Sequence, residues 1–453
     1  MASAKNAPEV RLLRFTIALL LAGCGSAAIS SYSLTKAVDI APSAPNLHRY
    51  LKHIVIIVQE NRTFDNLFHG FKDAHFATWG RSHDGKIVYL QPHPLRGESI
   101  FATWRVQIAD WDGGRMDGFD LSPLGSGGTR TAGTYAYTYV PKEEIEPYWT
   151  MASQYVLADR MFPTMFGGSF TAHLDLIAST SSLAATTSLV DTPSRMPWGC
   201  DAPQATHTDT LSKRRVETFN GPFPCLAQFR TLADTLNDAH RTWRYYAPAV
   251  FGGNAGGLVW SEFDSIRRVR YGIDWKRNVV SPPARVLSDA AAGELPDVSW
   301  VIPDAADSDH PGLTRGTGPS WVADIVNAVG EGPDWSTTAI VVVWDDPGGW
   351  YDDVPPPQLD YRGLGFRVPA IVISPYAKRG MVSHTQYEFG SIVRLVEEVF
   401  GLPTLGLVEA GYTDARAHSM LDCFDFARSP RKFVPIASQY EPNYFEHRAP
   451  SMQ

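Results

Sequence analysis

Thr338-Ala339-Ile340-Val341-Val342-Val343-Trp344 runs straight into Asp345-Asp346-Pro347-Gly348-Gly349. A β-branched run with no polar alternation describes a strand covered on both faces, the environment of a parallel sheet. It stops at two adjacent carboxylates and a Pro-Gly-Gly turn, so the acids stand at the carboxyl end of a central strand, where open α/β sheets bind their ligands. Neighbouring strand side chains point to opposite faces. Asp345 and Asp346 therefore share a target only if the backbone leaves the strand between them, and Pro-Gly-Gly supplies that break.

Working outward, His53-Ile54-Val55-Ile56-Ile57-Val58 repeats the design and ends at Gln59-Glu60-Asn61. A carboxylate and an amide oxygen at a strand end are hard donors suited to a divalent cation. Val298-Ser299-Trp300-Val301-Ile302-Pro303 is a third strand, followed by a loop carrying Asp304, Asp307, Asp309 and His310. That imidazole can bind a metal or supply a proton to a leaving group. A fourth strand, Val368 to Ser374, leads to Lys378-Arg379, read as a solvated turn, and then to His384. Val322, Ile325, Val326 and Val329 mark one helix by their spacing, and Ile392, Leu395, Val396 and Val399 another. Alternating helices and strands predict an α/β fold, a mostly parallel sheet flanked by helices on both faces. Residues 75–139 and 182–222 read as large insertions over the catalytic edge.

Gly167-Gly168-Ser169 precedes a helical stretch, which makes Ser169 an N-cap candidate. A hydroxyl there meets the N–H groups and dipole that favour an incoming phosphate. His173, four residues on, shares its helical face. A serine esterase elbow would need a second glycine, and Gly167-Gly168-Ser169-Phe170-Thr171 lacks it. Adjacent aspartates alone do not provide the separated carboxylates of a glycosidase.

Taken together, Glu60-Asn61-Arg62-Thr63-Phe64-Asp65, Gly168-Ser169-Phe170, Ser308-Asp309-His310-Pro311, Trp344 through Asp352, and Arg367-Val368-Pro369 through Tyr376 resemble the phosphoesterase family. That family holds non-specific phospholipases C and bacterial acid phosphatases within the alkaline-phosphatase-like superfamily. The resemblance runs from about Lys52 to Phe426. It implies phosphoryl transfer with Ser169 as nucleophile, His310 assisting at the phosphate, and Glu60, Asn61, Asp345 and Asp346 holding a divalent ion (Zn, Ca, Mg or Mn). Asn61, His173 and His384 are expected at the bound phosphate. Two departures stand out. Asp353 replaces a histidine usual after the Tyr-Asp pair, and Thr171-Ala172-His173 replaces the Pro-Asn-Arg of many phospholipases C, which tilts the reading toward the phosphatases. A non-catalytic binding protein on this scaffold would have lost ligand positions, and all those named are present.

Lys5, Arg11 and Arg14 precede a short apolar stretch, Phe15 to Ala22, too brief to span a bilayer. It ends at Leu21-Ala22-Gly23-Cys24, which resembles a lipoprotein signal. The expected organisation is a signal over 1–23, a lipidated Cys24 opening a Ser/Ala/Pro-rich tether over 24–46, and one catalytic domain over 47–453. Export would place the chain in the periplasm or on the cell surface, anchored to the membrane. Cys200 and Cys225 bracket a polar loop that a disulfide would staple in an oxidising compartment. Cys423 reads as a buried thiol, with a bridge to either of the others left open. A formal net charge of −8 and no Lys/Arg run argue against nucleic-acid binding. Trp104, Trp111, Trp300, Trp344 and Trp350 fall near the expected site or its lids; most such rings are core, and one or two lining a lipid or choline pocket would be consistent with a phospholipase.

Overall fold

The computed structural model describes residues 46–125, 129–251 and 255–449. The expected signal, Cys24 and nearly all of the tether lie outside these residues. A nine-stranded sheet organises the rest. Its strands are β1 (His53–Gln59), β2 (Val156–Phe162), β3 (Trp243–Tyr246), β4 (Val279–Val280), β5 (Val298–Val301), β6 (Thr338–Trp344), β7 (Val368–Ile373), β8 (Met381–Ser383) and β9 (Tyr387–Glu388). In space they follow the order β4-β3-β5-β1-β6-β7-β2-β8, with β9 also pairing with β2. Strands β1 and β6 are buried along almost their whole length, as their unalternated β-branched runs require.

All pairings are parallel except those of β7, which runs antiparallel to both β6 and β2. Residues 345–367 contain no described helix that could carry the chain back across the sheet. The next strand must therefore descend from the edge where β6 ended. Lys378 and Arg379 consequently fall at the opposite edge from Asp345, and β8 returns the chain so that His384 follows a strand that ends on the Asp345 side.

Helices α1 (Phe64–Phe68), α2 (Glu146–Gln154), α3 (Ser169–Ala178), α4 (Arg285–Ala292), α5 (Gly318–Glu331) and α6 (Phe389–Phe400) flank the sheet. They pack in separate groups, α5 against α4 and α2, and α6 against α3. Val322, Ile325, Val326 and Val329 of α5, and Ile392, Leu395, Val396 and Val399 of α6, are all buried. Each such side chain contributes about 1.5–3 kcal/mol of hydrophobic stabilisation. A second, smaller core, built on Phe119, Tyr137, Phe166, Trp350, Tyr351 and Phe366, underlies the insertions. Within the second insertion, Ser182–Ala184, Thr187–Pro193, Thr208–Ser212 and Glu217–Thr218 form an antiparallel sheet. A disulfide joins Cys200 to Cys225, and Cys423 is a free, buried thiol beside the Tyr387 hydroxyl. No described helix is long and apolar enough to cross a membrane.

Candidate active site

Strands β1 and β6 are paired in parallel with Gln59 opposite Trp344, so Glu60-Asn61 and Asp345-Asp346 leave the sheet side by side. The departure expected between the two aspartates is visible in their hydrogen bonds. The Asp346 N–H donates to Asp345 Oδ1 at 2.7 Å and the Gly348 N–H donates to Asp346 Oδ1 at 2.8 Å, turning both carboxylates inward. Asn61 answers from β1, its backbone N–H on Asp345 Oδ1 at 2.9 Å and its side-chain amide on Asp346 Oδ1 at 2.6 Å. Asn61 pays for this position with φ +55°, a conformation that asparagine tolerates better than most residues. Gly348 sits at φ +62°, and a Cβ there would lie 2.3 Å from the Asn61 carbonyl oxygen, so only glycine allows the two loops to touch.

Helix α3 delivers the other half. Gly168 is its N-cap and Ser169 its first residue, one position inside the expected cap. The Ser169 hydroxyl donates to Asp346 Oδ2 at 3.0 Å and lies 3.5 Å from Glu60 Oε2. One turn later, His173 Nε2 stands 2.9 Å from Glu60 Oε1 and 3.7 Å from Asp345 Oδ2. Glu60, Asn61, Ser169, His173, Asp345 and Asp346 thus converge from three remote stretches of chain.

Glu60, His173, Asp345 and Asp346 are almost wholly withdrawn from water. Burial raises the carboxyls of Glu60, Asp345 and Asp346 well above the ordinary carboxylate range, and their mutual repulsion adds to it. Burial lowers His173 and favours its neutral form. Two buried oxygens in this cluster, Asn61 Oδ1 and Asp345 Oδ2, have no hydrogen-bond partner. Oxygen donors left unpaired beside repelling carboxylates are the expected mark of a cation site, and ligand atoms of Glu60, His173 and Asp345 lie within 4.8 Å of one another. The residues therefore fit a divalent ion.

Ser169, Asn61 and Asp346 open into a cavity of about 520 Å³. Ile100, Phe101, Met196, Trp198, Leu258 and Trp260 supply much of its apolar wall, and His310 shares it. Trp300, Trp344 and Trp350 are core residues, as expected of most of the five tryptophans; none of the five lines the cavity, and Trp198 and Trp260 occupy its wall instead. His310 Nδ1 lies 2.6 Å from the Pro311 carbonyl oxygen, so that nitrogen carries the proton and Nε2 is left as an acceptor. Burial pushes this imidazole down to about 4, which keeps it neutral near pH 7.

His384 is not part of this group. Its Nδ1 pairs with Asp159 Oδ2 at 2.8 Å and its side chain is largely exposed. Asp353 also stands apart, in a cluster with Asp65 and Asp352 around the buried Arg367 guanidinium. Sequence reasoning gave no role to Arg62, although it lies in the quoted motif. Its buried guanidinium donates to the carbonyls of Asp309 and Leu95 and to Asn66 Oδ1, bracing the His310 loop. Asp191, which lines the cavity, was missed entirely.

The phosphoesterase family pattern matches residues 51–403, and the chain belongs to that family. It is accordingly a phosphoric ester hydrolase. Phospholipase C B of Mycobacterium tuberculosis is 25% identical over 451 residues, covering 85% of this chain and 80% of that protein. Non-hemolytic phospholipase C of Pseudomonas aeruginosa is 26% identical, covering 84% of this chain and 59% of that one. Non-specific phospholipase C6 of Arabidopsis thaliana is 22% identical, with coverages of 90% and 78%. A solved alkaline phosphatase superfamily protein from Vibrio parahaemolyticus aligns with a TM-score of 0.35 at 12% identity, covering 82% of this chain and 73% of that one.

Proposed function

We propose that this chain hydrolyses phosphate esters of lipids in the manner of a phospholipase C, with Ser169 as nucleophile and a divalent ion held by Glu60, Asn61, Asp345 and Asp346. The carrying observation is the Ser169 hydroxyl seated on Asp346 beside unpaired buried oxygens, at the base of an apolar-walled cavity. When bound, the cation supplies charge neutralisation at the phosphate and a lower pKa for the neighbouring hydroxyl. Asp346 Oδ2 stands where it can receive the serine proton, and the amino end of α3 turns its free N–H groups toward the developing charge. His173 holds Glu60 in place. Attack of Oγ on phosphorus gives a phosphoserine and releases the alcohol, and water then cleaves the phosphoserine.

A phosphomonoesterase is the second reading, favoured by Thr171-Ala172-His173 after the nucleophile. Hydrolysis of phosphatidylcholine, a synthetic bis-ester and p-nitrophenyl phosphate, each with divalent ion supplied, separates the two. Release of diacylglycerol supports the phospholipase, and turnover of the monoester alone supports the phosphatase. Inertness toward all three contradicts both. Lipid attachment at Cys24 and export to the periplasm or cell surface complete the proposal, since an anchored enzyme would meet its substrate at a membrane. Retention of radiolabelled palmitate by wild-type chain but not by C24A in the producing cell tests the anchor.

A further inference from the structure

Release of an aliphatic alkoxide from phosphorus is greatly eased by a proton, and His310 as placed has none to give. Its Nδ1–H is committed to the Pro311 carbonyl and its Nε2 is an acceptor. Another group in the cavity must be the acid if the leaving oxygen belongs to an aliphatic alcohol.

Asp191 is built for that place. It interrupts the strand Thr187–Pro193 at a register shift between Val190 and Pro193, with φ +57°. Bulges re-aim a side chain beside active sites, and a left-handed non-glycine residue is strain that the surroundings must hold. Here the bulge sets Asp191 among the residues lining the cavity that contains Ser169, and its Oδ1 would lie 3.9 Å from a Cβ on Gly167, at the turn into α3. The Trp104 N–H fixes Oδ1 at 2.6 Å. The charged groups around the carboxyl are Glu217 and Asp209 from the adjoining strands, with Arg105 paired to Glu217 from outside. Burial, with Glu217 and Asp209 nearby, raises the Asp191 carboxyl, so the carboxyl that lines the cavity keeps its proton.

We propose that Asp191 is a catalytic residue of this esterase, the general acid that protonates the departing alcohol. The inference rests on the serine phosphoesterase reading above. As Ser169 Oγ bonds to phosphorus, the ester P–O bond breaks with its electron pair on the leaving oxygen, which takes the Asp191 proton. The serine proton passes to Asp346. In the second half, water attacks the phosphoserine and gives a proton to the Asp191 carboxylate, while Ser169 recovers its own from Asp346. Burial raises the Asp191 carboxyl to about 8, so it is loaded at neutral pH.

The test pairs an aryl ester, whose leaving phenolate needs no proton, with an alkyl ester of the same phosphate class, either choline phosphodiesters or monoesters, whichever class the wild type hydrolyses. D191N keeps the Trp104 N–H acceptor and removes the acid. It is expected to lower kcat/KM for the alkyl ester by about 100-fold or more while changing aryl-ester kcat/KM by less than about fivefold, because kcat/KM reports the steps up to release of the alcohol and not the later attack of water, which both esters share. Wild-type enzyme, independent of how any variant folds, should lose alkyl-ester kcat/KM above about pH 8 but not aryl-ester kcat/KM. Equal losses of kcat/KM on both esters in D191N, or wild-type kcat/KM profiles that coincide, would overturn the acid role and leave the phosphoesterase reading intact. A wild type inert on both ester classes overturns that reading and this inference with it.

Discussion

At the scale of single residues, the site separates groups that hold charge from the hydroxyl proposed to attack. Ser169 reaches the carboxylates only through its hydroxyl, whereas Asp345 takes the Asn61 and Asp346 backbone N–H groups on one oxygen and offers the other unpaired. Removing the hydroxyl deletes the proposed nucleophile and leaves the acidic centre in place. S169A is therefore expected to retain divalent ion and its fold while losing at least about 10³-fold in turnover, an order of magnitude set by other covalent nucleophiles. D345N keeps the shape and removes one charge, so it should bind the ion at least about tenfold more weakly. Metal content after gel filtration and steady-state kcat read the two effects separately. Full turnover in S169A would falsify the covalent route, and unchanged ion content in D345N would remove that residue from the ligand set.

At the scale of elements, a buried ionic knot ties the loop after β6 to the strand it precedes. Arg367, at the entry to β7, donates to Asp352 at 2.8 Å, Asp353 at 3.1 Å and Asp65 of α1 at 3.3 Å, and accepts no solvent. Burial raises Asp65 and Asp352 above their ordinary values even beside this guanidinium, and repulsion among the carboxyls adds to it, since several acids share one cation. Replacing Arg367 by leucine would leave three carboxylates unmatched. The expected cost is about 3–5 kcal/mol at pH 7. The deficit should shrink as pH falls toward 5, because protonation of Asp65 and Asp352, both already raised, relieves it. Urea midpoints of R367L and wild type at both pH values check this. A deficit of the same size at each pH would assign the loss to packing instead of charge.

Across the whole molecule, what the sequence made legible is what local chemistry determines. Unalternated β-branched runs ending at Glu60 and Asp345 located the central strands, and their parallel register followed once both ends carried oxygen donors. The antiparallel course of β7 was not legible, because it depends on the absence of a crossover helix among residues 345–367 and not on any residue of the strand. Asp191 was hidden for a similar reason, since a bulge sets its direction and Trp104, far away in sequence, fixes its carboxyl. Proton bookkeeping is likewise a property of the folded chain. Burial raises Asp110 and Asp175 to about 8, Asp324 to about 7 and Glu397 to about 10, in addition to the three site carboxyls. Burial also raises Asp360, but Arg362 and Arg416 draw it below its ordinary value, so its effect falls at more acid pH. The unfolded chain releases these protons near pH 4, whereas the folded chain retains those of Asp110 and Asp175 to about pH 8 and that of Asp324 to about pH 7, so the folded state binds more protons through that window. Stability must then fall as pH rises through it, on the order of 1.4 kcal/mol per pH unit for each fully retained proton. Chelator-treated protein is expected to show a thermal midpoint that declines between pH 5 and pH 8. Excess divalent ion should flatten the decline, because the cation compensates Glu60, Asp345 and Asp346 once they ionise. Differential scanning calorimetry with and without the ion measures both slopes, and a midpoint that climbs with pH in the chelated protein would contradict the assignment of these protons to the folded state.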